Sequence, residues 1–279
     1  MQILTALPSV RSPIVQRKGE LRPSKLLSEP LRRLHATLQL DSARAREGTG
    51  PPRSILVVSA DAGDGKSTVV AGLALVQREA GLRVAVVEAD FRRPVMAKLL
   101  GVNSPHGLAD VLAGTQRLDG ALQQVERGSP VLAAAAAEAG AGAGGVATMV
   151  ESAEVGSLSV LVGGTSVSNP PALLARPAMP ELLRSLSDEF DQVLIDAPPP
   201  LQVSDVLPLL GMVDGIVVVA RAGHTREASA QRLMQLLART ASAPLLGIVA
   251  NAVSRPDMER YGFSSGYGQR SWPRTLIGR

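Results

Sequence analysis

The sequence has no cysteine, which excludes disulfides and thiolate metal sites and leads us to expect a reducing, cytoplasmic setting. It is also nearly free of aromatics, with two tyrosines, three phenylalanines and one tryptophan in 279 residues. At 45% hydrophobic content the core is still sizeable, but it has to be aliphatic. No run reaches the roughly 18 uncharged apolar residues that a membrane-spanning helix needs. The nearest candidate, VLAAAAAEAGAGAGGVATMV (131–150), carries Glu138 and is mostly Ala and Gly, which reads as a flexible insertion over 133–149. The opening MQILTALPSVRS lacks the basic start and apolar stretch of a secretory signal. No basic patch is interleaved with aromatics, so no nucleic-acid partner is expected. His35, His106 and His224 show no metal-ligand spacing.

What the chain does have is short aliphatic runs without strict alternation: SILVVSA (54–60), RVAVVE (83–88), QVLID (192–196) and GIVVVA (215–220). Such runs suit strands buried on both faces of a parallel sheet. Helix-forming stretches separate them, at 65–80, after Pro94, near 178–188 and at 225–239, and further strands are expected at 158–162 and 245–250. This alternation predicts a doubly wound, mostly parallel α/β domain over 53–252. Residues 1–27 are expected to be a disordered basic segment. SEPLRRLHATLQL (28–40) is expected to be a helix with Leu31, Leu34 and Leu38 on one face, followed by a Gly/Pro linker to residue 52. Residues 253–279 are expected to be a flexible tail, and they hold Tyr261, Phe263, Tyr267 and Trp272, most of the chain's aromatics. The net charge of +4 divides unevenly: Lys and Arg outnumber Asp and Glu by 10 to 4 in residues 1–53 and by 5 to 2 in residues 252–279, whereas the middle carries 14 against 19. Basic ends of this kind suit an anionic partner such as lipid or nucleic acid, and equally suit plain solvation.

Ligands of doubly wound sheets bind at the carboxyl ends of strands, so the loops after each strand carry the information. SADAGDGKSTVV (59–70) has the strand, small-residue loop and helix that a P-loop requires. Ala60 stands where the usual pattern starts with glycine. Ala62, Gly63, Asp64, Gly65, Lys66, Ser67 and Thr68 can surround a nucleotide's phosphates, with Lys66 reaching the β- and γ-phosphates and the Ser67 hydroxyl holding Mg2+. The strand 192–196 runs into Asp196 and then APPP, the layout in which a strand-end carboxylate holds Mg2+. In EADFRRP, Glu88 and Asp90 are two residues apart and so expected to point the same way, toward one metal or one hydroxyl. Asn251, ending the last strand, is a candidate contact to the nucleotide base.

Taken together, these motifs resemble the bacterial tyrosine autokinases that accompany polysaccharide co-polymerases in capsule and exopolysaccharide synthesis. They are related to the septum-positioning and partitioning ATPases with deviant Walker A loops. The resemblance covers roughly residues 28–253 and takes in the P-loop, Glu88, Asp90 and Arg92 as an acidic motif, the strand and prolines at 193–199, GLADVLAG (107–114), NPPALLARPAMPELLRSL (169–186) and Asp205. It implies transfer of phosphate from ATP, with Mg2+, to the tail tyrosines Tyr261 and Tyr267. Lys66 and Asp196 would serve the phosphoryl group, and Asp90 or Glu88 would act as base or metal ligand. It also implies a homo-oligomeric ring held through Glu29, Arg32 and His35, a membrane-spanning co-polymerase or activator subunit at the inner face of the membrane, and a cognate tyrosine phosphatase. Three features depart from the family pattern: Glu88 and His35 stand in place of aspartate and arginine, and two tail tyrosines replace a cluster. Two rival readings are a partitioning-type ATPase switch and a nucleotide-binding regulatory subunit. Asp61 speaks against the switch, since such ATPases commonly carry a second lysine there.

Overall fold

The computed structural model describes residues 2–17, 19–44, 50–126, 156–260 and 263. Its strands are β1 (Ile3–Pro8), β2 (Ile14–Arg17), β3 (Glu20–Pro23), β4 (Ser54–Ser59), β5 (Val84–Glu88), β6 (Gln123–Gln124), β7 (Leu158–Leu161), β8 (Gln192–Asp196), β9 (Gly215–Arg221) and β10 (Leu245–Val253). The helices are α1 (Lys25–Arg44), α2 (Lys66–Glu79), α3 (Met96–Leu100), α4 (Leu108–Ala113), α5 (Leu118–Ala121), α6 (Pro170–Leu174), α7 (Ala178–Glu189), α8 (Glu227–Thr240) and α9 (Arg255–Arg260). Eight strands make one sheet in the order β1, β10, β9, β4, β8, β5, β7, β6, and β2 and β3 form a separate hairpin. Every pair in the large sheet is parallel except β6 with β7. This is the doubly wound architecture expected from the aliphatic runs.

Burial on both faces explains why those runs are continuous. In β4, Ile55 and Val57 face a cluster completed by α1, α2 and α3, whereas Leu56 and Val58 face another completed by α4, α6, α7 and α8. Each strand residue therefore has an apolar neighbour whichever way it points. The register brings the carboxyl ends level: Val57 and Glu88 both stand opposite Asp196, Ser59 opposite Val219, and Arg221 opposite Asn251. The loops that follow β4, β5, β8, β9 and β10 consequently meet at one end of the sheet.

The two ends of the chain differ from expectation. Residues 1–27 are not a disordered segment: β1 lies parallel beside β10 as an edge strand, with Leu4, Thr5, Ala6 and Leu7 buried. Nothing local marks this six-residue run as a strand, because its order comes from pairing with a strand some 240 positions away in the sequence. The helix begins before residue 28, at Lys25, and buries Leu27 as well as Leu31, Leu34 and Leu38. At the other end β10 runs to Val253 and α9 follows, its Met258 packed with Ala6 and Val253 and with Phe263 against them. The ordered fold therefore extends past residue 252. Tyr261, Tyr267 and the insertion at 133–149 lie outside the described residues. Leu7, 1% exposed, tests the N-terminal correction. Leu7→Ala is expected to cost about 2–4 kcal/mol, read as a lower denaturation midpoint, whereas an undocked segment would show no change.

Candidate active site

The loop between β4 and α2 is shaped for an anion. Gly63 and Gly65 have φ of 85° and 95°, which glycine adopts freely. A Cβ on Gly65 would also displace the Asn251 amide from its bond to the Asp64 carbonyl. The first turn of α2 carries no acidic residue, leaving its amides and dipole open to phosphate.

Lys66 is 6% exposed and its ammonium donates to Ser59 Oγ at 3.1 Å. Burial lowers its pKa, and nearby Asp196, Asp90 and Asp64 oppose that shift. Asp196 ends β8 at 1% exposure and accepts a 2.6 Å hydrogen bond from Ser67 Oγ on Oδ2, while its Oδ1 is buried with no partner among the described residues. A buried orphan carboxylate oxygen beside a P-loop serine is a donor set that fits Mg2+, a hard cation satisfied by oxygen. Among the described residues no group of three or more His, Asp or Glu side chains could hold a metal ion. An ion held here would thus rely on Ser67, Asp196, phosphate and water.

Burial pushes the Asp196 carboxyl up to about 7. The Ser67 hydrogen bond and Lys66 act in the opposite direction, and Asp90 and Glu88 add to the rise. The folded state then binds a proton that the unfolded state has released between pH of about 4 and about 7, so stability falls as pH rises through that window. The full effect of one such group is about 4 kcal/mol. Asp196→Asn is therefore expected to match the parent protein in melting temperature near pH 4 and exceed it at pH 8 without nucleotide. Parallel pH profiles would contradict it.

Glu88 and Asp90 do not face the same way, contrary to the sequence expectation. Glu88, 1% exposed, accepts from the Val95 and Met96 amides on Oε1, at 2.8 Å for Met96, and from the Gly163 amide on Oε2 at 2.9 Å. Both its oxygens are engaged in tying β5 to α3 and to the loop after β7. Asp90 accepts from the Arg92 and Arg93 amides on Oδ1 at 3.2 and 3.0 Å, and its Oδ2 has no partner among the described residues. Asp90 lines a cavity of about 730 Å3 together with Lys66, Ser67 and Thr68, and Glu88 does not. Arg92 forms a two-pronged ion pair with Asp205, at 2.7 and 3.1 Å, which joins the loop after β5 to the loop after β8 beside this cavity.

The sequence model of the CobQ/CobB/MinD/ParA nucleotide-binding domain matches residues 55–264. The chain belongs to this nucleotide-binding family. Relatives of this chain include proteins named as bacterial tyrosine-protein kinases. YwqD of Bacillus subtilis is 27% identical over 241 residues, which cover 86% of this chain and 87% of YwqD. EpsB of Ralstonia nicotianae, named a putative tyrosine-protein kinase, is 30% identical over 241 residues, 86% of this chain but 27% of EpsB. The chain thus spans nearly all of the first relative and about a quarter of the second. The kinase domain of Escherichia coli tyrosine kinase ETK shares the fold, with a TM-score of 0.71 at 23% identity over 96% of this chain and 95% of that domain.

Several contacts that brace this nucleotide-binding loop escaped the sequence reading. Asp64, fully buried, accepts from Thr225 Oγ1 at 2.8 Å and the Asp61 amide at 3.1 Å, and its Oδ1 lies 3.0 Å from His224 Nδ1. Arg221 donates to the Gly63 carbonyl at 3.1 Å. Asn251, expected at the base, donates from Nδ2 to the Asp64 carbonyl at 2.7 Å and accepts from the Ala252 amide on Oδ1 at 2.8 Å. That role could have been anticipated from topology, since β9 is the neighbour of β4 and β10 that of β9. The candidate assembly residues lie on α1: Arg32 pairs with Glu79 at 3.2 Å and with Glu29 at 3.8 Å, both exposed contacts within one chain. His35 is half-buried, its Nδ1 has no partner among the described residues, and burial lowers its pKa. No helix of the described residues is long and apolar enough to cross a membrane.

Proposed function

We propose that the chain is an ATP-dependent protein-tyrosine autokinase that phosphorylates Tyr261 and Tyr267 and thereby regulates capsule or exopolysaccharide chain synthesis and export. The observation that carries this reading is Asp90, a carboxylate with a free oxygen on the wall of a cavity that continues past the P-loop. The relatives' kinase names support the same reading.

Asp90 takes the phenolic proton of an incoming tyrosine. The phenolic oxygen then bonds to the γ-phosphorus of ATP, the bond from that phosphorus to the β–γ bridging oxygen breaks, and ADP leaves with the electron pair. Lys66 and the amides of residues 63–68 take up the charge that builds on the transferred group and the leaving oxygen. Ser67 and Asp196 Oδ1 would hold Mg2+, which when bound neutralises phosphate charge. Glu88 keeps the loop that carries Asp90 in place by tying down α3.

The same reading assigns residues 53–252 to catalysis, Glu29, Arg32 and His35 on the helix and linker at 28–52 to ring assembly, and 253–279 to the substrate tail. It places the protein at the inner face of the membrane, held by a membrane-spanning co-polymerase subunit and reset by a tyrosine phosphatase. Mass spectrometry after incubation with Mg·ATP tests it. Phosphate on Tyr261 or Tyr267 supports the kinase, ADP without phosphoprotein supports a partitioning-type switch, and neither product supports a regulatory subunit.

A further inference from the structure

The cavity has two unlike halves. One is the P-loop. The other has apolar walls from Val95, Leu99, Val203, Pro198 and Pro199, with Asp90 at its base and Arg93 and Lys98 exposed along its edge. Arg92 is committed to Asp205, whereas neither the Arg93 guanidinium nor the Lys98 ammonium has an ion-pair partner among the described residues. Asp90 is the one acidic side chain that lines this space. A phenol ring suits the apolar walls, and the residues flanking it would pass the two free cations.

The chain's own tail matches this edge poorly. Residues 260–279 contain four arginines, Arg260, Arg270, Arg274 and Arg279, and no acidic residue. A tail tethered within an assembly needs little recognition, because tethering raises its effective concentration to the millimolar range. A separate acceptor lacks that advantage and depends on complementary charge.

We propose that Arg93 and Lys98 select, as a second substrate class beyond the chain's own tail, a tyrosine set among acidic residues on another polypeptide. This rests on the phosphoryl-transfer reading, and the chemistry is unchanged: the same P–O bond breaks, ADP leaves with the electron pair, and Asp90 takes the phenolic proton.

The test uses the full chain, Mg·ATP, and two short peptides that differ only in the residues flanking one tyrosine, glutamate in one and lysine in the other. The glutamate peptide is expected to show a KM about tenfold lower at low ionic strength. Salt at about 1 M, where the Debye length is about 3 Å, should erase the difference. The double variant Arg93→Glu, Lys98→Glu should invert the preference and raise labelling of the basic tail. Arg93→Gln, a milder change at an exposed position, should reduce the preference without inverting it. Equal KM values, a preference for lysine, or a preference unchanged in the double variant would overturn the proposal.

A second arm needs no catalysis: peptides with phenylalanine for tyrosine are titrated by fluorescence anisotropy. Tighter binding of the acidic peptide without transfer to any tyrosine would reject the kinase reading and keep the binding site, and equal binding would reject the site itself.

Discussion

Replacing Lys66 by methionine is expected to abolish incorporation of labelled γ-phosphate into the chain, a loss of at least about 10²- to 10³-fold in rate, while far-UV circular dichroism stays unchanged. Lys66 is 6% exposed and lies among three carboxylates, those of Asp196, Asp90 and Asp64. Its ammonium is already desolvated before substrate arrives, so it need not shed water as charge develops on the phosphoryl group. Methionine keeps the unbranched shape and the packing beneath the loop but removes the charge. Without Lys66, Asp196 loses one of the two influences that hold its carboxyl down, and more of it will be protonated near neutrality. Nucleotide and Mg2+ binding should weaken along with transfer, so equilibrium binding of a fluorescent ATP analogue should fall in the same variant. Undiminished labelling would remove Lys66 from the mechanism and with it the phosphoryl-transfer reading.

How much of the site was legible in the sequence depended on separation along the chain. The P-loop was readable because its strand, glycines, lysine and helix are contiguous, and Asp196 because a strand-end carboxylate gains meaning from a P-loop upstream. The buried strands were readable because both faces of β4, β5, β8 and β9 are covered, leaving unbroken Val, Ile and Leu. The braces of the loop were not. Asp64 meets His224 and Thr225 across about 160 residues, and Arg92 meets Asp205 across 113. Only the strand order makes those loops neighbours. β1 was hidden for the same reason, as its partner β10 lies some 240 residues further along the chain. Glu88 shows a different limit. A two-residue spacing predicts one shared direction only along an extended strand, and β5 ends at Glu88, so Asp90 already belongs to the loop and follows its own turn.

That divergence sets up the sharpest separation between a catalytic carboxylate and a structural one. Asp90→Asn is expected to lower the rate of tyrosine phosphorylation by about 10²- to 10⁴-fold with little change in melting temperature. The asparagine carbonyl can still accept from the Arg92 and Arg93 amides, as Oδ1 does now, but the amide group cannot take a proton from tyrosine. Glu88→Gln should behave in the opposite way. Its three amide donors come from Val95, Met96 and Gly163, and a glutamine side chain offers one carbonyl oxygen where two carboxylate oxygens now serve. The NH2 group would then face a buried N–H, donor against donor. Losing charge-assisted bonds of this kind costs about 2–4 kcal/mol, read as a lower denaturation midpoint. Activity should return toward the parent value at temperatures where the variant remains folded. Glu88 carries one methylene more than the aspartate of the resembling family, and that reach lets it span the start of α3 and the loop after β7 together. If instead Glu88→Gln loses transfer at full stability while Asp90→Asn keeps it, the two roles are exchanged and Glu88 is the base.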